Sequence, residues 1–245
     1  LTAAGSTDEH VFAGFEFDEV FDRYPHGALV YFEALAELLV APVLHPSRDF
    51  VDDVRWRAGM VAQLCVEEDL RQELRDLLFR TVREEQPDVI LAHSLGSLIA
   101  YDFLHNDPRG ATAAPGATLV TFGSQINNVF AHAKLFPGPT AVPNVSFWYH
   151  LYNSHDHVLT APIDIADPAF LQVMTPSAAG HDPVGAPGQP GYLVHPNTAS
   201  AVWRALATGR GARQVKRAIA ATRKITAKPR RRALLVGINK YPDPD

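Results

Sequence analysis

Three residues of the kinds that carry out acyl transfer occur along this chain in the order Ser94, Asp156, His195. The serine is the most strongly placed. It lies in the run Pro87-Asp88-Val89-Ile90-Leu91-Ala92-His93-Ser94-Leu95-Gly96-Ser97. Val89, Ile90 and Leu91 form the short apolar run expected of a strand covered on both faces. From Leu98 to Leu104 the apolar residues follow helical spacing. Ser94 therefore sits at a strand-to-helix corner, where a strained backbone lifts the side chain above the sheet edge. Small residues two positions to either side let strand and helix pass closely, and Ala92 and Gly96 meet that need. The same turn aims the Leu95 N–H, at the positive end of the new helix, at the place where an oxyanion would form.

Asp156 follows Val145–Asn153, a stretch rich in aromatic and β-branched residues that reads as a strand. A carboxylate just past such a strand can hold one ring nitrogen of a catalytic histidine and fix its tautomer. Asp164 and Asp167 compete for the role, but Pro162 and Pro168 beside them point to a solvated turn. His195 falls between the apolar stretch Tyr192-Leu193-Val194 and a helix opening at Pro196-Asn197-Thr198, which is the position expected for the general base. The chain has eleven histidines. His105, His132 and His181 read as partly exposed polar residues. His93, His155 and His157 read as pocket lining or loop supports. His150, His155 and His157 also admit a metal-cluster reading, which lacks a further Cys or Glu ligand at suitable spacing.

The run Ala92-His93-Ser94-Leu95-Gly96-Ser97-Leu98-Ile99-Ala100-Tyr101-Asp102 resembles the nucleophile elbow of lipase- and esterase-like α/β-hydrolases. The resemblance extends over about residues 10 to 208. It includes Ala117–Ser124, a strand ending in a Gly-Ser pair, and the Asp-x-Val pattern at Asp156-His157-Val158. It implies an α/β fold with a mostly parallel sheet flanked by helices, and a Ser94–His195–Asp156 triad that needs no cofactor and no metal. The implied reaction is two-step hydrolysis of a carboxylic ester or a lipid-type substrate. One part of the family pattern is missing. No His-Gly turn closes an early strand, and His26-Gly27 opens a helical stretch instead. With Glu9–Asp18 read as a second strand and Leu1 at the start, the expectation is that a first strand and its oxyanion loop lie upstream.

The elements that must position these residues are legible in outline. Helical patterns run near 27 to 41, 50 to 66 and 68 to 85. The first is an amphipathic stripe that suits either a core face or a lipid-binding lid. The Pro- and Gly-rich tract from Ala178 to Gly191 reads as a mobile loop between acid and base, bordering the pocket mouth. The 245 residues, 47% of them hydrophobic, suffice for one α/β unit and an additional piece. A single cysteine, Cys65, excludes an internal disulfide framework and suits a reducing cytosol. No apolar run reaches the length that spans a bilayer.

The formal net charge is −5, yet half of the 22 Lys and Arg fall between Arg210 and Lys240, a stretch without Asp or Glu. Such a run reads first as a solvated helix face or linker, and second as a contact for nucleic acid or anionic lipid. Beyond it, Arg232-Ala233-Leu234-Leu235-Val236-Gly237-Ile238-Asn239-Lys240-Tyr241-Pro242 is similar to the opening strand of metacaspase-like, caspase-fold peptidase domains. The expected division is a hydrolase-like domain over 1–208, a basic linker with a helix over 212–226 within 209–231, and the start of a caspase-like domain over 232–245. By analogy such a fusion suggests a bacterial signalling or defence effector. Two functions are consistent with these residues. One is a serine hydrolase; the other is a non-catalytic module of hydrolase fold that governs the attached peptidase-like domain.

Overall fold

The computed structural model of the chain describes residues 10–24, 59–128, 131, 135–136, 138–143, 145–158, 160–208 and 231–237. The stretches expected to be helical over 27–41 and 212–226, and His132, lie outside the described residues. Six parallel strands form one sheet in the order β1-β8-β2-β3-β4-β5. They are β1 (His10–Phe15), β2 (Val89–His93), β3 (Thr118–Phe122), β4 (Phe147–Tyr152), β5 (Phe170–Met174) and β8 (Arg231–Val236). Two short strands, β6 (Gly185–Ala186) and β7 (Gln189–Pro190), make a separate hairpin.

The pleat sorts the apolar side chains into two cores. Ile90, Ala92, Leu119, Trp148, Leu234 and Val236 face one side. There they meet α1 (Asp18–Phe21), α2 (Glu68–Glu85) and α3 (Leu95–Asn106) through Val20, Leu70, Leu74, Leu78, Leu98 and Phe103. Val89, Leu91, Val120, Phe122, Tyr149 and Leu151 face the other, under Val202 of the helical segment that runs from Pro196 to Thr208. Both faces of β2 and β3 are thus buried, which is why these strands read as unbroken apolar runs. The helix expected near 68 to 85 is α2, and residues 59–66 of the pattern before it are also helical. Arg75 on α2 holds the buried Asp102 of α3 in a bidentate pair, Nε–Oδ2 at 2.7 Å and Nη2–Oδ1 at 2.9 Å. That hydrogen bond to Asp102 pushes the Arg75 pKa up.

Two elements differ from the sequence reading. Residues 170–174, close to the prolines taken to mark irregular loop, form β5 on the edge of the sheet, whereas Tyr192–Val194 is a turn. Pro168 and Pro176 lie outside β5, where a missing N–H does not disturb the ladder. The stretch expected to open a separate domain supplies β8, which is hydrogen-bonded between β1 and β2 and so stands beside the strand that leads into Ser94. Among the described residues no helix is long and apolar enough to cross a membrane.

Candidate active site

All six strands run parallel, so their carboxyl ends share one rim, and the residues that follow β2, β3, β4 and β8 meet there. Ser94 follows β2 directly and is the N-cap of α3, with φ +51° and ψ −127°. A non-glycine residue at that φ is strained and persists only where its surroundings hold it. The Ser94 N–H is anchored on the Phe122 carbonyl at 3.1 Å, and the Ser94 carbonyl accepts from the Ser97 N–H at 2.9 Å. The hydroxyl takes part in neither bond. Ser94 Oγ is buried without a hydrogen-bond partner, on a residue only 1% exposed.

Gly96 explains one glycine of the elbow. A Cβ there would stand 2.4 Å from the Val236 carbonyl oxygen and 3.1 Å from the Gly237 nitrogen. The backbone that needs the room is thus the end of β8. The chain leaving β8 therefore passes the first turn of α3, next to Leu95 and Ser94.

Asp156 stands four residues beyond β4 and is fully desolvated. Its Oδ1 accepts from the Val158 N–H at 2.9 Å. Its Oδ2 accepts from His181 Nδ1 at 2.7 Å and from the Tyr192 hydroxyl at 2.6 Å. Burial alone would raise the carboxyl pKa, but the hydrogen bond and charge of His181, with the bonds from Tyr192 and Val158, outweigh it and leave the pKa below the usual range. Burial, followed by the negative charge of Asp156, pushes the Tyr192 phenol upward, so it stays a donor.

His181, read from sequence as a partly exposed polar residue, is therefore the histidine paired with the acid. His195, expected in that role, is not. The His195 Nδ1 accepts from the Asn197 N–H at 3.1 Å and caps the helix beginning at Pro196. With Nδ1 turned to that N–H, that nitrogen is not given to Asp156. Asn153, 2% exposed, fixes the loop that carries His181. Its amide nitrogen donates to the carbonyls of Ser177 at 2.8 Å and Gly180 at 3.0 Å, while its oxygen accepts from the N–H groups of His155 at 3.0 Å and Ser177 at 3.1 Å. Gly180 takes φ +59° immediately before the histidine. His93 holds the loop from below. Its Nε2 donates to the His181 carbonyl at 3.2 Å, and its ring packs between Phe122 and His181, with centroids 5.0 Å and 4.7 Å away. This is the loop-support role read for His93.

With Nδ1–H given to Asp156, a neutral His181 carries its lone pair on Nε2, and that atom is buried without a partner. The His181 ring also lies against Gly123, where a Cβ would come within 2.9 Å of Cε1. Gly123 directly follows Phe122, whose carbonyl anchors Ser94.

The other candidates lie elsewhere. Asp167 accepts from the Ala169 N–H at 2.7 Å in a turn, and Asp164 is exposed. His150 is buried against the Thr121 hydroxyl at 3.0 Å, whereas His155 and His157 are exposed. Among the described residues no group of three or more His, Cys, Asp or Glu could hold a metal ion. Cys65 is buried. Comparison with protein-family models, with curated proteins and with solved structures found no match to this chain.

Proposed function

We propose that the chain is a serine hydrolase of the α/β-hydrolase type, with Ser94 as nucleophile, His181 as general base and Asp156 as the residue that orients the base. The observation that carries this reading is the buried Asp156–His181 pair at the rim where Ser94 caps α3 in a strained turn. Ser94 attacks a carbonyl carbon as its proton passes to His181 Nε2. Asp156, kept ionised by its three hydrogen bonds, stabilises the imidazolium. The tetrahedral intermediate collapses as His181 protonates the leaving alcohol, and a water activated in the same way releases the acyl group from Ser94.

The Leu95 N–H is one donor to the oxyanion. The backbone leaving β8 at Gly237 runs beside it and is the natural source of the second, which the sequence alone located upstream of residue 1. The proposed substrate is a carboxylic ester or lipid-type acyl compound, with no cofactor. An open groove lined by apolar residues such as Pro139, Ile163 and Phe170 and by the polar Asn127, Asp164 and Gln172 lies beyond β4.

One observation favours the second reading, a non-catalytic module. The strand that completes the sheet beside β2 comes from the caspase-like stretch, so the fold of one depends on the placement of the other. A fluorophosphonate probe separates the two. Labelling of the chain that disappears in Ser94→Ala supports the hydrolase. A folded chain that takes no label supports the module.

A further inference from the structure

Four buried side-chain polar atoms without a hydrogen-bond partner belong to three residues of one neighbourhood. They are Ser94 Oγ, His181 Nε2, and both amide atoms of Gln125. The first two are accounted for by the proposed chemistry. Gln125 is not. It is 1% exposed, and neither its Oε1 nor its Nε2 is satisfied. Burying an amide with both ends unmatched loses hydration with nothing in return, so a fold keeps such a group only where something else completes it.

Gln125 lies in the loop after β3, which packs against the His181 ring and the first turn of α3. Gly123 touches the His181 ring. Ser124 Oγ lies 2.8 Å from Ser97 Oγ on the first turn of α3, and also accepts from the Ile126 N–H at 3.3 Å. Two residues past Gln125, Asn127 Nδ2 donates to the Pro162 carbonyl at 2.7 Å, and both of these residues line the groove beyond β4. Gln125 therefore stands in the loop between the contact with Ser97 on α3 and the groove at Asn127.

We propose that Gln125 is a specificity-determining residue that pairs with an amide group carried by the acyl part of the substrate, close to the reacting carbonyl. A trans secondary amide, whose C=O and N–H point in opposite directions, matches one end at a time, its C=O accepting from Nε2 or its N–H donating to Oε1. A hydrocarbon chain satisfies neither end. This inference rests on the reading of Ser94 as nucleophile, and narrows the substrate from esters in general to amide-bearing acyl esters.

The test compares two activated esters of equal chain length, 4-nitrophenyl N-acetylglycinate and 4-nitrophenyl pentanoate, on the full chain. The unaltered chain is expected to favour the amide-bearing ester in kcat/KM. In Gln125→Leu that preference should fall by about 10- to 100-fold. The pentanoate value should hold or rise, and so should Tm, because an apolar side chain of similar size replaces an unmatched amide. Gln125→Met, more adaptable in shape, gives the same comparison if the leucine variant misfolds. A preference unchanged by either substitution, on a chain that hydrolyses both esters, overturns this inference alone. A Tm lowered by several degrees in both variants also overturns it, since the amide would then be satisfied within the protein. A folded chain that hydrolyses neither ester and takes no fluorophosphonate overturns the reading of Ser94, and this inference with it.

Discussion

The two histidines that competed for one role separate cleanly by what each ring nitrogen does. His181 gives Nδ1–H to a buried carboxylate and keeps Nε2 open; His195 turns Nδ1 to the first turn of a helix. His181→Ala is therefore expected to lower esterase activity by about four orders of magnitude or more, as removal of a triad base does, and to abolish fluorophosphonate labelling. His195→Ala should keep labelling and cost about 1 kcal/mol in urea unfolding, the worth of a helix cap. The reverse outcome would restore His195 as the base. A third histidine governs pH. Burial holds the His150 pKa down at about 4, and the Thr121 hydroxyl at 3.0 Å from Nδ1 suits the neutral ring. The unfolded chain takes up that proton near pH 6.5, so this group's stability is full above about pH 6.5 and is lost as pH falls toward 4. The loss is about 3 kcal/mol by linkage. His150→Gln, which does not titrate, should flatten the unfolding free energy between those two pH values.

Elements decide how much of the site a sequence reveals. The strand-to-helix corner at Ser94 was legible because it is local: strand, small residue, serine, small residue and helix lie within a dozen positions. Asp156 was legible for a similar reason, as it closes an aromatic-rich strand. The histidine that pairs with Asp156 was not, because its place is set by which strand comes last before it. β5 is short, lies at the sheet edge and buries only Val173 fully, so it gave a weaker signal than Tyr192–Val194, which is apolar yet forms a turn. With the last strand of that stretch at Phe170–Met174, it is Gly180-His181 that follows it and reaches Asp156. The elbow also makes a demand that only the fold reveals. Its second small residue must clear the Val236 carbonyl of a strand at the far end of the chain, and two backbones cannot rotate away as a side chain can. Gly96→Ala is expected to cost about 1–3 kcal/mol by overpacking, and to reduce hydrolysis by moving β8 off the first turn of α3. Urea unfolding and ester turnover on the same variant check both.

At the scale of the molecule, the last described strand in the sequence lies second in the sheet. Within the described sheet β1 pairs with β8 alone, and β8 in turn closes the open side of β2. Asp88 and Arg232 tie the start of that seam: Asp88 N–H donates to the Arg232 carbonyl at 2.7 Å, and Arg232 N–H to Asp88 Oδ2 at 3.1 Å. The Arg232 guanidinium adds a bond to the Glu85 carbonyl at 2.8 Å, at the end of α2. β2 therefore has two supports of different origin. One is β3, close to it in sequence; the other arrives from beyond residue 230. From sequence the run over 232–245 reads as the opening strand of a separate domain, whereas its strand pairs between β1 and β2, since parallel pairing depends on contacts across the whole chain. The consequence is a directional order of opening. Leu234→Ala, at a side chain with no exposure, should cost about 2–5 kcal/mol. It should also raise amide exchange in β1 and β8 well before β3, β4 and β5, because only the first two lose their partners when the seam loosens. Fluorophosphonate labelling of Ser94 should slow in step with exchange at β8, as the backbone proposed to complete the oxyanion site withdraws with it. Exchange that rises evenly across all six strands, or labelling that stays constant while β8 opens, would show that the rim at Ser94 is held without that strand.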